Sequence, residues 1–298
     1  MRAVTLALAA AIAAVPSCDR NPAGPFRDPT QIVFQSGRSG SVDVYAMNPT
    51  GTGPFNVTHS PGNETAPSLS PDARWVVFVS DRRGYLDGAL DVIRLDGTGR
   101  HGLAVRGDAD LPTWSPDGRR IAFVSTRGGN PDVYVIDAAG GGERRVTTWR
   151  GLDTHPSWSP DGERLAFVSK RSGRSELYVV DLASGGVHRL LRTPTEDSDP
   201  AWSPDGRWIV FSREESGIDH LYLVGADGHG ARRLTNHPLS DDWAAWSPDG
   251  STIAFTRGHG AEAEIWSIRL DGTDAQPLTT MHSDECCLSW GPRLPVAD

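Results

Sequence analysis

What this sequence lacks narrows the kinds of protein it can be. Its 29 basic residues are outnumbered by 38 acidic ones, and the net charge of −9 argues against a nucleic-acid partner, because phosphate binding requires clustered Lys and Arg. Helical periodicity of useful length is missing after Cys18. Cysteine is scarce, and adjacent Cys286 and Cys287 would bridge each other only with strain. We therefore expect them to be two small buried hydrophobes, with a redox role as the alternative.

Long apolar runs are also lacking, apart from residues 3–15. These 13 residues are too few to cross a bilayer as a helix but are typical of the h-region of a secretory signal. The run ends in Val15-Pro16-Ser17-Cys18, which resembles a bacterial lipobox. We predict a signal peptide over 1–18, lipidation at Cys18 and a linker over 19–30; the alternative is an ordinary signal cut near Ser17. Either route exports the protein to the periplasm or cell envelope, with membrane attachment only through Cys18.

The sequence does contain a regular internal repeat. Ser-Pro-Asp begins at Ser70, Ser115, Ser159, Ser203 and Ser247, and a degenerate sixth copy follows at Trp290-Gly291-Pro292. The residue directly before each copy is called the anchor below, and successive anchors are 44 or 45 residues apart: Leu69, Trp114, Trp158, Trp202, Trp246 and Trp290. Pro, Asp and the Gly that follows in four copies together favour a tight turn. A period of this length, with four short strands in each unit, is typical of a propeller blade. We label these strands A to D in chain order; the anchor ends strand A and the Ser-Pro-Asp turn leads into strand B.

The number of blades follows from the two ends of the chain. Before Leu69 the pattern predicts a B strand at 32–35, a C strand at 43–47 and a D strand at 55–58, with no A strand ahead of them. After the last full unit comes a lone A strand that ends near Trp290. We therefore predict an all-β fold, a six-bladed β-propeller of four-stranded blades over 31–292, followed by a tail over 293–298. The C-terminal strand joins and completes the N-terminal blade, which also removes free sheet edges.

The repeat also carries a family resemblance. Its Phe-x-Ser-x-Arg-x-Gly segment, as at Phe34-Ser36-Arg38-Gly40, is followed by Tyr, Asp-Gly, Leu-Thr and Pro-x-Trp-Ser-Pro-Asp-Gly, and resembles the TolB-type, WD40-like propeller repeat. The resemblance implies an exported bacterial propeller but no single function. TolB proper carries an α/β domain before its propeller, whereas only about a dozen residues separate Cys18 from the first predicted strand. Its binding of the peptidoglycan-associated lipoprotein is therefore not carried over.

Charged residues recur on one predicted face of the disc. Five residues before the anchor, where the link from strand D enters strand A, stand Glu64, Asp153, Asp197, Asp241 and Glu285, with Ala109 in the remaining blade. The loop after strand B brings Arg38, Arg82, Arg127 and Arg171 to the same face. We expect these groups to pair and to hold neighbouring blades together around the channel mouth. The alternative is that the carboxylates converge on the axis and bind a cation such as Ca²⁺.

We predict a non-enzymatic binding or scaffold propeller of the cell envelope, which recognises a protein or an envelope polymer through this acidic, loop-bearing face. It is expected to be a monomer that needs no cofactor and binds no nucleic acid. The alternative is a metal-assisted hydrolase or lyase that uses Asp153, Asp197 and Asp241 as base and ligands. The Gly-x-Ser-x-Gly elbow of a serine hydrolase is absent from the sequence. Trp149 and Trp243 are the candidate exposed aromatics of this face, and the Ser-Pro-Asp-Gly face is predicted to be scaffold.

Overall fold

Each repeat unit folds into a four-stranded antiparallel sheet. The computed structural model describes residues 31–81, 88–280 and 284–291, and within them six such sheets form the blades of a propeller. Strands run from inner A to outer D. Blade I comprises β24 (Cys286–Trp290), β1 (Ile32–Ser36), β2 (Asp43–Met47) and β3 (Phe55–Asn56); blade II, β4 (Glu64–Leu69), β5 (Trp75–Ser80), β6 (Ala89–Arg94) and β7 (His101–Gly102).

The remaining blades follow in chain order. Blade III comprises β8 (Asp110–Trp114), β9 (Arg120–Ser125), β10 (Asp132–Asp137) and β11 (Arg144–Arg145); blade IV, β12 (Asp153–Trp158), β13 (Arg164–Ser169), β14 (Glu176–Asp181) and β15 (Val187–Arg189). Blade V comprises β16 (Asp197–Trp202), β17 (Trp208–Glu215), β18 (Ile218–Gly225) and β19 (Arg232–Arg233); blade VI, β20 (Asp241–Trp246), β21 (Thr252–Arg257), β22 (Glu264–Arg269) and β23 (Gln276–Pro277). A short 3-10 turn, Gly260–Glu262, precedes β22.

The ring closes through its last strand. β24 pairs antiparallel with β1, with Ile32 opposite Trp290, so the C-terminal strand is the inner strand of the first blade. β24 also contacts the inner strands on both sides, β4 and β20. The predicted fold class, blade number and mode of closure are therefore confirmed.

The Ser-Pro-Asp-Gly turn forms by local hydrogen bonding. In blade V the Ser203 hydroxyl donates to Asp205 Oδ1 (2.6 Å) and accepts from the backbone N–H of Trp208 (2.9 Å). Gly206 takes a φ of +71°, which only glycine adopts without a steric cost; in the first copy Ala73 takes +53° instead. The turn therefore joins strands A and B in the same way in each of the five complete copies.

Between the blades the core is apolar. One phenylalanine of each B strand is fully buried: Phe34, Phe78, Phe123, Phe167, Phe211 and Phe255. Neighbouring blades share their clusters, as where Trp202 and Phe211 of blade V pack with Val168 and Leu177 of blade IV. Burial of such large rings is the main stabilising contribution between blades.

Cys18 and Arg82 lie outside the described residues, as do the predicted signal segment, the linker and the C-terminal tail. In the part of the chain that is described, no helix is long and apolar enough to cross a membrane.

Candidate binding surfaces

The five predicted ring carboxylates lie inside the blades. Their exposed fractions are 0% or 1%, for Glu64, Asp153, Asp197, Asp241 and Glu285. A buried carboxylate must be paired or hydrogen-bonded, since its desolvation otherwise costs several kcal/mol, on the order of the penalty for an isolated buried ion. These carboxylates therefore cannot contact a partner directly, so the expectation that they form an acidic binding surface is wrong.

Each of these carboxylates is paired with an arginine of its own blade. The pairs are Arg38–Glu285, Arg100–Glu64, Arg171–Asp153, Arg213–Asp197 and Arg257–Asp241. The best-formed pair is bidentate: Arg257 donates to Asp241 through Nε (2.7 Å) and Nη2 (3.0 Å). The pairs thus tie strand A to the rest of the same sheet, and the expectation that they bridge neighbouring blades is wrong. Of these five pairs, that of Arg38 and Glu285 joins the two chain ends.

The arginines come from different places in the repeat but reach the same place in the blade. In every blade one guanidinium lies over the buried phenylalanine of strand B, at 5.0–5.7 Å from the ring centre: Arg38, Arg100, Arg127, Arg171, Arg213 and Arg257. This contact adds a cation–π interaction to the ion pair. The positive charge therefore lies at the same place in all six blades, although the arginine that supplies it stands at different positions in the repeat.

Blades II and III depart from the common pattern. In blade II, Asp91 stands opposite Phe78, and Arg100 pairs with both Asp91 (2.8 Å) and Glu64 (2.9 Å). In blade III, Ala109 replaces the acid, and Arg127 pairs with Glu143 instead. Asp108 accepts hydrogen bonds from Ser125 and Thr126. Where the repeat carboxylate is replaced by Ala109, the arginine of the blade thus pairs with a different carboxylate.

The loop-bearing face carries two exposed large apolar side chains, Trp149 (46%) and Leu239 (51%). They lie in the links that enter blades IV and VI. Blade V stands between them, and its β17 and β18 are eight residues long, whereas the other B and C strands have five or six. The resulting longer hairpin turns at Ser216-Gly217. This arc of blades IV to VI therefore presents apolar groups on both sides of an extended hairpin.

The central channel is lined by a ring of residues in an unusual conformation. Three residues before each anchor, the backbone has a φ between +48° and +54°, at Ala66, Leu111, His155, Asp199, Trp243 and Cys287. At the same place each inner strand shifts its register against its B strand, which marks a β-bulge. Positive φ is uncommon for non-glycine residues, and the bulge directs these six side chains into the channel.

Polar groups are concentrated on one side of the channel. His155 Nε2 lies 3.1 Å from Asp199 Oδ1, and the His155 ring packs against Trp243 with centroids 5.4 Å apart. Two further carboxyl groups lie near Asp199 without lining the channel. Burial first, and then the charges of Asp199 and Asp219, raise the pKa of Asp242 to about 8. Burial also raises the pKa of Asp219. On the opposite side the ring offers only Ala66 and Leu111.

The channel has a volume of about 550 Å³ and extends to the prolines of the Ser-Pro-Asp-Gly turns, Pro71, Pro116, Pro160, Pro204 and Pro248. The Ser-Pro-Asp-Gly face therefore carries an opening as well as scaffold. Trp243 lines this channel, so it is not an exposed aromatic of the loop face as predicted. Asp199 and His155 were not singled out from the sequence, although their fixed distance from the anchor would have located them.

The three carboxylates of the catalytic alternative are held in ion pairs. Asp153, Asp197 and Asp241 are bound by arginines, which neutralise the charge that a ligand or base would use. Among the described residues, no three His, Cys, Asp or Glu side chains are placed to hold a metal ion.

The repeat matches a known sequence family. The profile of the TolB beta propeller domain matches residues 89–195 and 191–293, more than half of the chain. This chain belongs to the TolB β-propeller family. A curated relative, the protein TolB homolog of Chlorobium chlorochromatii (strain CaD3), is 32% identical over 124 residues. That match spans 42% of this chain but only 28% of the relative's own length.

Solved structures share the TolB propeller fold. TolB from Acinetobacter baumannii superposes with a TM-score of 0.80 at 23% identity, covering 91% of this chain and 68% of that one. A protein described as putative TolB from Agrobacterium tumefaciens gives a TM-score of 0.72 at 23% identity, covering 88% and 92%. At these identities the likeness establishes the fold.

Proposed function

We propose that this TolB-family propeller is a non-catalytic binding module of the cell envelope, which holds a protein partner through its loop-bearing face. Family membership and the candidate export segment at residues 1–18 support the envelope location. The observation that carries the proposal is the exposure of Trp149 and Leu239 on the arc of blades IV to VI. Exposed apolar groups next to a polar rim are typical of protein interfaces, in which tryptophan often contributes most of the affinity.

The charged residues of this face also favour binding through apolar contact, although the sequence predicts an acidic binding face. Because the five repeat carboxylates are buried against arginines, they contribute little net charge to a partner. Binding would then depend on apolar contact, with the hairpin of blade V and exposed charges such as Lys170 and Glu196 at the margin. Such rim charges affect association rates more than affinity.

The test compares the mature protein with two variants. The first variant combines Trp149→Ala with Leu239→Ala. Each protein is immobilised and incubated with an envelope extract, and the retained proteins are quantified by mass spectrometry. We expect retention of the partner to fall by roughly ten- to thirtyfold, since loss of an aromatic hot spot costs about 2 kcal/mol or more.

Val187→Ala provides the matched control. Val187 is also an exposed apolar residue (37%), but it lies on the outer strand β15, away from the loop face. This variant should retain the partner as the wild type does. Equal retention by all three proteins would refute the proposal, and sedimentation with purified peptidoglycan but with no protein would favour an envelope polymer instead.

A further inference from the structure

Two thiols meet in the strand that closes the ring. Cys286 and Cys287 are consecutive residues of β24, and their Sγ atoms lie 3.2 Å apart. Both side chains are half-buried rather than fully buried, which differs from the expectation of two small core hydrophobes. Cys287 also lines the central channel and Cys286 beside it is partly exposed, so a small molecule can reach the pair.

The β-bulge explains why the two sulfur atoms are close. In a regular strand, adjacent side chains point to opposite faces of the sheet, which keeps neighbouring thiols apart. Here β24 shifts its register against β1 between Val33 and Gln35, and Cys287 has a φ of +54°. The irregular backbone turns both side chains toward each other.

The same bulge occurs in the other five inner strands, but with other residues. The corresponding pairs are Thr65-Ala66, Asp110-Leu111, Thr154-His155, Ser198-Asp199 and Asp242-Trp243. The propeller thus provides this geometry six times, and the sequence places two thiols in it once.

We propose that Cys286 and Cys287 form a reversible redox site, which closes to a disulfide between neighbouring residues. The oxidant is a small-molecule disulfide such as glutathione disulfide. The Cys286 thiolate attacks it and releases one glutathione thiol; Cys287 then attacks Sγ of Cys286 in the mixed disulfide and releases the second. Two protein thiols are oxidised, one small disulfide is reduced to two thiols, and the two cysteine protons pass to the released thiols.

The order of attack follows from the surroundings of the two sulfur atoms. The hydrogen bond with Cys286 and then burial raise the pKa of the Cys287 thiol, with added repulsion from the charges of Asp199 and Asp242. Cys287 is therefore the poorer initial nucleophile, and it acts in the second step because the mixed disulfide forms directly beside it.

The bond is expected to be readily reversible. Adjacent Cα atoms are about 3.8 Å apart across a trans peptide, which is less than the usual span of about 4.4–6.8 Å in disulfides. The resulting strain makes the bond easier to reduce than a structural disulfide. Oxidation would change the channel wall beside Asp199 and Asp242, independently of whether the loop face binds a protein.

The test follows the tryptic peptide of residues 270–293, which contains both cysteines and no internal Lys or Arg. The whole protein is equilibrated with glutathione buffers of different oxidised-to-reduced ratio, quenched in acid and alkylated with N-ethylmaleimide. We expect the peptide to lose two hydrogens and take up no label in oxidised buffer, and to take up two labels after reduction. Two labels at every ratio, a stable glutathione adduct, or a link to a second chain would overturn the proposal.

Two variants test the cause. Cys287→Ser should never show the loss of two hydrogens and should instead carry glutathione on Cys286. A second protein has Cys286→Ser and Cys287→Ser together with Thr65→Cys and Ala66→Cys, which moves the thiols to the equivalent bulge of blade II. If the bulge brings the sulfur atoms together, this pair should also close; two labelled thiols there would refute the geometric explanation.

Discussion

The two ends of the inner strands are held by contacts of very different range along the chain. At the Ser-Pro-Asp-Gly end, the Ser203 hydroxyl accepts a hydrogen bond from a residue five positions away. At the loop-face end, Arg257 reaches a carboxylate 16 positions away, and Arg38 reaches one 247 positions away. The first kind of contact depends on a short motif and is repeated almost unchanged. The second depends on the assembled blade, so that different arginines serve the same purpose.

The two ends also differ in how much a single side chain contributes. A charge buried in a sheet loses its hydration and requires its partner, whereas replacement of a buried turn serine such as Ser203 leaves only neutral groups or a partly exposed carboxylate without one hydrogen bond, which costs less. We therefore expect substitutions at the loop-face end to have the larger effects on stability.

The largest effect is expected for Arg257→Met. It leaves Asp241 buried at 0% exposure without its cation, and breaking such a pair costs roughly 3–5 kcal/mol of the free energy of unfolding. Urea denaturation measures this. The double variant Arg257→Met with Asp241→Leu should recover most of the loss, because neither charge then remains buried.

Arg207→Ala, which removes an exposed pair with Asp205, is the control and should change stability by about 0.5 kcal/mol or less. An equal loss in Arg257→Met and Arg207→Ala would contradict the contrast between the two ends.

The second effect concerns Asp242, which interacts with the channel residue Asp199, and it depends on pH. The pKa of Asp242 is raised from 3.8 to about 8, so the folded protein keeps a proton that the unfolded chain loses from about pH 4 upwards. The contribution of Asp242 to the stability of the wild type should therefore fall as the pH rises from about 4 to about 8, and no further above that. Asp242→Asn lacks this titration, and the full shift corresponds to about 5–6 kcal/mol over this range. Because the Asp242 side chain is only half-buried, solvent screening should reduce the gain of the variant relative to the wild type to roughly 2–4 kcal/mol. Unfolding curves measured at several pH values check this, and parallel pH profiles for the two proteins would contradict it.

The smallest effect is expected at the turn. Ser203→Ala removes the acceptor for the Trp208 N–H and the donor to Asp205, which should cost about 1–2 kcal/mol. The same change at Ser247, whose hydroxyl makes the equivalent bonds to Asp249 and Thr252, should cost about the same. Thermal unfolding of both variants is the measurement. A large difference between the two would show that the turns are not equivalent.

The turn and the blade count could be predicted from the sequence, because each depends on residues close together in the chain. Pro, Asp and Gly favour one local conformation wherever they occur in that order, and their spacing of 44 or 45 residues reveals the repeat. The lone strand before Trp290 then required closure with β1, which the pairing of Ile32 and Trp290 confirms.

The arginine partners could be predicted only in part. Arg38 and Arg171 were assigned to the correct face from the repeat, but Arg100, Arg213 and Arg257 were not assigned as partners because they occupy other positions in it. A guanidinium on a long, flexible side chain can reach the same carboxylate from several backbone sites. The position of an arginine in the sequence therefore shows that a positive charge is present, but it does not identify the carboxylate that the arginine contacts.

The sequence by itself determined the six blades, their tight turns and the strand that closes the ring, because local turn chemistry and alternating apolar residues are sufficient to specify them. Only the tertiary structure decided that Glu64, Asp153, Asp197, Asp241 and Glu285 are buried within blades, and that the bulge faces His155 toward Asp199 and Cys286 toward Cys287. The physical reason is that burial and the direction of a side chain depend on how the sheets pack around the axis, and a bulge reverses the alternation that a strand pattern assumes.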